Sequence, residues 1–112
     1  MPIEDDLFDK LRIELRRGAL SLGVLIALRE ERYGYTLRQV LEAGGLPIEE
    51  GALYPLLRRL VAQGLLTSEW REEGRNKRFY RLSEDGERVL AQLLSEWDAI
   101  SRSIVRLSEG NQ

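Results

Sequence analysis

Two stretches of the sequence combine cationic and aromatic side chains and contain no acidic residue. Residues 51–59 read Gly-Ala-Leu-Tyr-Pro-Leu-Leu-Arg-Arg, and residues 75–82 read Arg-Asn-Lys-Arg-Phe-Tyr-Arg-Leu. Arginine and lysine side chains bind carboxylate or phosphate groups, and arginine does so with two parallel hydrogen bonds. The chemistry that these residue types can perform is therefore the binding of an anionic surface.

The residue types that the chain lacks exclude most other chemistry. There is no cysteine and no histidine, which excludes disulfides, thiolate sites, most zinc sites and the commonest general base. Lysine occurs only as Lys10 and Lys77, and the acidic residues are spread along the chain without a paired cluster. We therefore do not expect an enzyme, and we expect neither a cofactor nor a metal.

The charge distribution fits an anion-binding surface better than the net charge does. The formal net charge is −2, but residues 65–82 carry five basic and three acidic side chains. Residues 1–16 carry three basic and five acidic side chains, and residues 83–112 carry three and six. Acidic ends and a basic middle suit a protein that touches DNA with one surface only.

Length and hydropathy predict a single cytoplasmic domain. A chain of 112 residues forms one domain or one protomer of an oligomer. The longest apolar run, residues 22–28, is too short to span a membrane. The acidic N-terminus does not resemble a signal peptide.

The first half of the sequence predicts two helices separated by a turn. Apolar residues at helical spacing predict a long helix over residues 4–31, with a break near Gly18 because glycine lowers helix propensity. Residues 33–35 (Tyr-Gly-Tyr) are predicted to form a turn. Thr36 is the predicted N-cap of a shorter helix, with Gln39 completing a capping box.

A third helix follows paired glycines at positions 44 and 45 and a short link at 46–48, and it ends at Gly64. Its predicted buried face consists of Leu53, Leu56, Leu57, Leu60 and Val61. Its opposite face carries Gly51, Tyr54, Pro55, Arg58, Arg59 and Ala62. An apolar face opposite a polar and cationic face predicts a helix that packs on the core and presents its cations to a partner.

A basic hairpin and a last helix complete the chain. The predicted strands are 65–71 and 77–82, joined by a turn at 72–76. Ser83 is predicted to cap the last helix. That helix carries an apolar seam at alternating spacings of three and four residues, which is typical of helices that pair. The seam residues are Leu90, Leu93, Trp97, Ile100, Ile104 and Leu107.

Two helices joined by a short turn and followed by a basic two-stranded ribbon predict a winged helix-turn-helix, in a fold that is mainly α with a small β-hairpin. In this arrangement the second helix enters the DNA major groove, and the wing cations enter a minor groove or bind a flanking phosphate. The predicted DNA-binding residues are Tyr35, Thr36, Arg38, Gly51, Ala52, Tyr54, Pro55, Arg58, Arg59, Arg75, Asn76, Lys77 and Arg78.

Each feature also has a plainer interpretation. Arg58 and Arg59 alone are typical of a solvated helix face, and a basic hairpin edge also keeps a sheet soluble. Trp70 and the aromatic residues near position 80 are typical of core or cross-strand packing. As an alternative function, the same fold serves as a protein-interaction module without DNA binding; the basic wing favours DNA.

Residues 19–86 resemble the PadR family of bacterial transcriptional regulators. The matching motifs are Tyr33-Gly34-Tyr35, residues 51–60, Gly64-Leu-Leu, Glu69-Trp70 and residues 78–86. The resemblance implies a dimeric repressor that reads a pseudo-palindrome, with Tyr54 at the DNA-facing start of the recognition helix. Ala52 departs from the Ser or Thr that is common in the family, and Glu49-Glu50 departs from a frequent Ser-Pro pair.

The terminal helices are predicted to form a two-fold dimer, because the apolar seam of the last helix needs a partner. The alternative is that this seam packs on the winged helix of its own chain. The predicted dimer residues are Leu7, Leu11, Leu90, Leu93, Trp97, Ile100, Ile104 and Leu107. The predicted domains are an N-terminal dimerisation extension (1–16), the winged helix-turn-helix (17–82), a C-terminal dimerisation helix (83–108) and a tail (109–112).

The resemblance also implies an effector site. Short members of the family with one C-terminal helix include multidrug sensors, in which paired tryptophans from that helix sandwich planar aromatic compounds at the dimer interface. Trp97 matches that tryptophan by position, although an interface anchor is the plainer interpretation. The effector-binding residues implied in this way are Leu15, Gly18, Leu94, Trp97, Ser101 and Ile104.

Overall fold

The computed structural model describes residues 3–110, and its first element is an unbroken helix. Helix α1 spans Ile3–Ala27, so the predicted break at Gly18 is wrong, as is the predicted end at residue 31. A glycine inside a helix costs about 1 kcal/mol relative to alanine, which is too little to interrupt a helix of 25 residues. Nothing lies within 4 Å of a β-carbon built at Gly18.

A short strand replaces the predicted turn at residues 33–35. Strand β1 spans Arg32–Tyr33 and pairs antiparallel with the last strand of the sheet. Helix α2 spans Gly34–Ala43 with Tyr33 as its N-cap, so the predicted capping box at Thr36 is wrong. The Thr36 hydroxyl lies inside the first turn and donates to the Tyr33 carbonyl at 3.0 Å. Gly44 is the C-cap of helix α2, where the paired glycines were expected to separate it from the third helix.

Helix α3 spans Glu50–Ala62, and its predicted buried face is confirmed for four leucines. Leu53, Leu56, Leu57 and Leu60 are buried in the core, and Val61 is half-buried against it. Glu49 precedes the helix with an extended backbone. Gly64 follows it with a φ of +80°, a left-handed conformation that glycine adopts without steric cost.

The hairpin is longer than predicted and its turn is tighter. Strand β2 spans Leu66–Glu73 and strand β3 spans Arg75–Leu82, with Gly74 alone between them at a φ of +79°. Glu73 faces Arg75, and Glu72 faces Asn76. The predicted five-residue turn is wrong because these polar residues continue the ladder. The antiparallel sheet has the order β1-β3-β2, so it has three strands, one more than the predicted hairpin.

The last helix, α4, spans Glu84–Gly110. Ser83 caps it as predicted: the Gly86 amide donates to the Ser83 hydroxyl oxygen at 2.9 Å, and that hydroxyl donates to the Gly64 carbonyl at 2.7 Å. The predicted tail from residue 109 is helical as far as Gly110. Residues 111 and 112 lie outside the described residues.

The core lies where α1, α2, α3 and the start of α4 meet the sheet. Its largest fully buried side chains are Val24, Leu25, Leu28, Leu37, Leu53, Leu57 and Leu90. The N-terminal half of α1 and most of α4 extend beyond this core, and the molecule measures 58 × 38 × 24 Å. No helix within residues 3–110 is both long enough and apolar enough to cross a membrane.

Candidate nucleic-acid interface

A groove of about 480 Å³ separates α3 from the β2–β3 hairpin, which we call the wing (residues 66–82). Five of the residues that line it were predicted to bind DNA: Tyr54, Arg58, Asn76, Lys77 and Arg78. The other lining residues are Tyr33, Gly34, Glu50, Trp70 and Tyr80. The fold therefore brings the recognition helix and the wing cations to one concave surface, the wing groove.

Three further exposed residues of α3 face a second groove. Ala52, Pro55 and Arg59 line a cavity of about 310 Å³ between α3 and α1, the α1–α3 groove. Successive residues on a helix are about 100° apart, which places Arg58 and Arg59 on opposite flanks of α3. The sequence predicted one DNA-facing surface on α3. The structure divides it into two flanks, with Arg58 on one and Arg59 on the other.

Arg78 is held against the wing by hydrogen bonds and by aromatic rings. Its Nε and Nη2 donate to the Ser68 hydroxyl at 3.1 and 2.8 Å. Its guanidinium carbon lies 5.9 Å from the Trp70 ring centroid and 5.5 Å from that of Tyr80. Burial raises the pKa of the Tyr80 phenol, which therefore stays neutral beside this cation. Because these contacts hold Arg78 in place before a ligand arrives, less side-chain entropy is lost when it binds an anion.

The Tyr54 ring lies against a glycine at the start of α2. Gly34 is buried, and a β-carbon built there would lie 2.1 Å from the Tyr54 hydroxyl oxygen and 2.9 Å from Cζ. Both distances are far below van der Waals contact, so no side chain fits at position 34 while Tyr54 keeps this position. Gly34 thereby lets the phenol pack beside α2 and reach the wing groove.

Trp70 lies in the wing groove although it was not among the predicted DNA-binding residues. Its side chain is 64% exposed and lines the wing groove, so it is not core packing. It pairs across the hairpin with Arg78, and directly opposed residues share a face of the sheet. The sequence contains this signal, because a hairpin turn centred on Gly74 places residues 70 and 78 opposite each other.

Three predicted DNA-binding residues of α2 line neither groove. Tyr35 is 60% exposed and its hydroxyl accepts from Gln39 at 3.2 Å. Arg38 fastens α2 to the link before α3, because its Nε donates to the Ile48 carbonyl at 3.2 Å and its Nη1 lies 4.0 Å from Glu50. The Thr36 hydroxyl is used inside its own helix.

Gly51 and Arg75 complete the predicted set. Gly51 lies in the exposed first turn of α3, where a β-carbon would meet nothing within 4 Å. Arg75 is exposed beside the turn of the wing and pairs with Glu73 in the ladder. Neither residue is among those that line the wing groove, although both flank it along the chain.

An ion-paired arginine lies on the opposite face of the wing. Arg71 donates to both oxygens of Glu31, at 2.6 and 2.8 Å, and to Glu69 at 2.6 Å. These hydrogen bonds raise the pKa of the Arg71 guanidinium, so it remains charged. Because its charge is already paired, Arg71 is a structural tie between the wing and the segment after α1, and it is not available to an external anion.

The predicted dimer and effector residues are mostly exposed on α1 and α4. Leu90 is wrong as a predicted dimer residue: it is 1% exposed and packs in the core of its own chain, so it is not available to a second chain. Trp97 is 46% exposed, Leu15 is 77% exposed, and Leu94 packs partly against the core. The other exposed dimer residues are Leu7, Leu11, Leu93, Ile100, Ile104 and Leu107.

Several proteins that this chain resembles are regulators of transcription. The sequence pattern that defines the family described as transcriptional regulator PadR-like matches residues 22–92. The transcriptional regulator Rv3488 of Mycobacterium tuberculosis is 36% identical over 94 residues, which cover 82% of this chain and 88% of that protein.

Solved structures are similar in both sequence and shape. A PadR family transcriptional regulator from Eggerthella lenta is 43% identical, with a TM-score of 0.88 over 95% of this chain and 96% of that one. A PadR-like transcription factor from Bacteroides fragilis is 31% identical, with a TM-score of 0.75 over 88% and 98% of the two chains. The similarity thus extends beyond the winged helix to the terminal helices.

Proposed function

This chain belongs to the PadR-like family of transcriptional regulators, and from that premise we propose that it represses transcription as a homodimer bound to a pseudo-palindromic operator. Family membership establishes the coarser role, which is DNA-binding regulation without enzymatic activity. The repressor role, the dimer and the operator symmetry are the proposal. A regulator of this kind works where the DNA lies, so we also propose a cytoplasmic location.

The observation that carries the proposal is the wing groove. The exposed face of α3 begins with Gly51 and Ala52, whose small size lets the backbone approach base edges. Tyr54 and Arg58 follow on the flank toward the wing, where Arg78 adds positive charge. Lys77 also lines the groove, but its place opposite Arg71 in the ladder puts its side chain on the other face of the hairpin. We assign base reading to the start of α3 and phosphate binding to the arginines and the wing.

The dimer is proposed from the exposed apolar residues of α1 and α4. Large apolar side chains on two protruding helices are costly in water, and a second copy would cover them. A two-fold dimer would also present two recognition helices to half-sites about 34 Å apart. Residues 1–16 and 83–108 are the proposed dimerisation segments, and residues 17–82 are the proposed DNA-binding unit.

We further propose that a small planar apolar compound relieves repression by binding at the dimer interface. Trp97 is half exposed near the middle of α4, where a two-fold axis would bring it close to its counterpart. Leu15, Gly18, Leu94, Ser101 and Ile104 are the proposed neighbours. Such a compound regulates only if it binds one spacing of the recognition helices more tightly than another.

The competing proposal is a winged helix that binds protein and not DNA. An apolar wing would support it, but the cations of this wing are solvent-accessible at the groove or beside the turn. Glu50 lines the same groove, where its carboxylate would repel DNA phosphates, and its role there would be to reject wrong sequences. The DNA-binding role is therefore the better supported of the two.

Fluorescence anisotropy with the duplex upstream of the chain's own gene tests the proposal. Measured at two salt concentrations, binding should weaken steeply as salt rises, because each bound phosphate releases counterions. A scrambled duplex of equal length and composition is the control for sequence specificity. No binding to the upstream duplex at low salt, or equal binding to both duplexes, would contradict the proposed function.

A further inference from the structure

The α1–α3 groove, on the flank of α3 away from the wing, is cationic without acidic residues. Two arginines line it, Arg59 from α3 and Arg17 from α1. The other lining residues are Ile13, Leu20, Ser21, Ile48, Ala52, Pro55 and Leu56. The wing groove, by contrast, contains the carboxylate of Glu50. The α1–α3 groove is thus the more uniformly positive of the two.

Both arginines are unengaged within the part of the chain that the structure describes. Within residues 3–110, the guanidinium groups of Arg17 and Arg59 make no ion pair and no side-chain hydrogen bond. The neighbouring Arg16 differs, since its Nη2 donates to the Gly45 carbonyl at 3.1 Å. Apolar side chains such as Ile13 and Leu20 can support the aliphatic stems while the charged ends stay in water.

The dimensions of DNA indicate what these charges would meet. The major groove is about 12 Å wide and a helix with its side chains is about 10–12 Å across, so a recognition helix fills the groove. The two phosphate backbones then run along its two flanks. One flank of α3 holds Tyr54 and Arg58 beside the wing, and the other holds Arg59 beside Arg17.

We propose that Arg17 and Arg59 bind phosphates of the DNA strand across the major groove from the strand that the wing contacts. The proposal rests on the proposed DNA-binding function and extends it to α1, a helix to which no DNA contact was assigned from the sequence. Ala52 and Pro55 are small, so a sugar-phosphate backbone can approach the floor of the groove. The contact carries no sequence information and fixes the position of α3.

Replacing one cation at a time tests this proposal. Arg17→Gln removes two cations from the proposed dimer, so it should lower the slope of log Kd against log salt by about 1.8 and weaken binding about thirtyfold near 0.15 M salt. The loss should be the same for the operator and for a scrambled duplex. Arg12→Gln is the matched control, because it removes the same charge from an exposed position of α1 that lines neither groove.

Uncharged analogues of the phosphate group, placed on one DNA strand at a time, show which strand Arg17 contacts. Methylphosphonates placed on the strand across the groove should weaken binding of the wild type more than that of Arg17→Gln, which retains only Arg59 on this flank. On the strand that the wing contacts they should weaken both proteins alike. Equal slopes for the wild type and Arg17→Gln, with circular dichroism showing a folded variant, would overturn the proposal while leaving the DNA-binding function intact. If the wild type itself does not bind DNA, the proposed function fails first.

Discussion

The contact between Gly34 and Tyr54 illustrates how one missing side chain positions another. The phenol occupies the space that a β-carbon at position 34 would take, so a side chain there requires the Tyr54 ring to shift toward the wing groove that it lines. Overpacking of this kind costs about 1–3 kcal/mol of folding free energy. The two positions are therefore coupled, and the coupling is measurable.

We expect Gly34→Ala to destabilise the protein by about 1–3 kcal/mol in the wild type. In the Tyr54→Ala background the same change should be neutral or stabilising by about 0.5–1 kcal/mol, since alanine favours helix over glycine. Urea unfolding of the four proteins measures this coupling. Gly51→Ala, where the added carbon meets nothing within 4 Å, is the control. An undiminished loss in the Tyr54→Ala background would contradict the assigned contact.

The two tryptophans report separately on the two proposed binding sites. Trp70 lies on the wing and Trp97 on α4, so each single-tryptophan variant isolates one signal. With Trp97→Phe, the emission of Trp70 should shift or quench when operator duplex is added. With Trp70→Phe, operator should change emission little, whereas a planar cationic dye should quench Trp97. Quenching by dye only in the Trp97→Phe protein would place the dye at the wing, contrary to the effector proposal.

At the scale of elements, the wing depends on a tie to the segment that follows α1. Arg71 joins β2 to Glu31 through two hydrogen bonds, although the residues are 40 positions apart. Both side chains are 34% exposed, so water screens the ion pair and it adds little stability. Its consequence is geometric: it limits how far the wing can move relative to the helical core.

Glu31→Gln should therefore weaken DNA binding a few-fold with little change in stability. Hydrogen exchange of β2 amides should become faster, because the wing loses its tie. Glu69→Gln is the matched control: it removes the other carboxylate on Arg71 but leaves the contact with Glu31. Equal effects of the two variants on wing exchange would show that the tie has no special role.

The elements that sequence predicted correctly are those with a local signal. The leucine spacing of α3, the glycine after it and the serine before α4 each reflect chemistry within a few residues, and all three are confirmed. Strand β1 has only two residues and no periodicity of its own, since it exists through pairing with β3. The division of the α3 surface likewise depends on where α1 packs, which no local pattern encodes.

At the scale of the whole molecule, the apolar surface of α1 and α4 requires an explanation. Leu93, Trp97, Ile100 and Ile104 are between 40% and 58% exposed, and they recur at the spacing of paired helices. Only Leu90 of the same seam is covered by its own chain. The alternative in which the whole seam packs on its own winged helix is therefore wrong for the remainder of α4.

A charge placed in the seam should dissociate the proposed dimer and show how much of the DNA affinity depends on dimerisation. Ile100→Glu should reduce the mass in light scattering from twice the 12.9 kDa chain mass to that of one chain, because a carboxylate cannot be buried without a partner. Affinity for the full operator should then fall to that for a single half-site, since linkage of the two half-sites is lost. Ser95→Glu adds the same charge to the exposed opposite side of α4, about 120° or more from every seam residue, and should leave both mass and affinity unchanged. A wild-type mass of one chain would contradict the dimer. A dissociated Ile100→Glu protein that still binds the full operator tightly would show that one winged helix suffices, and the proposed pseudo-palindromic operator would then be wrong.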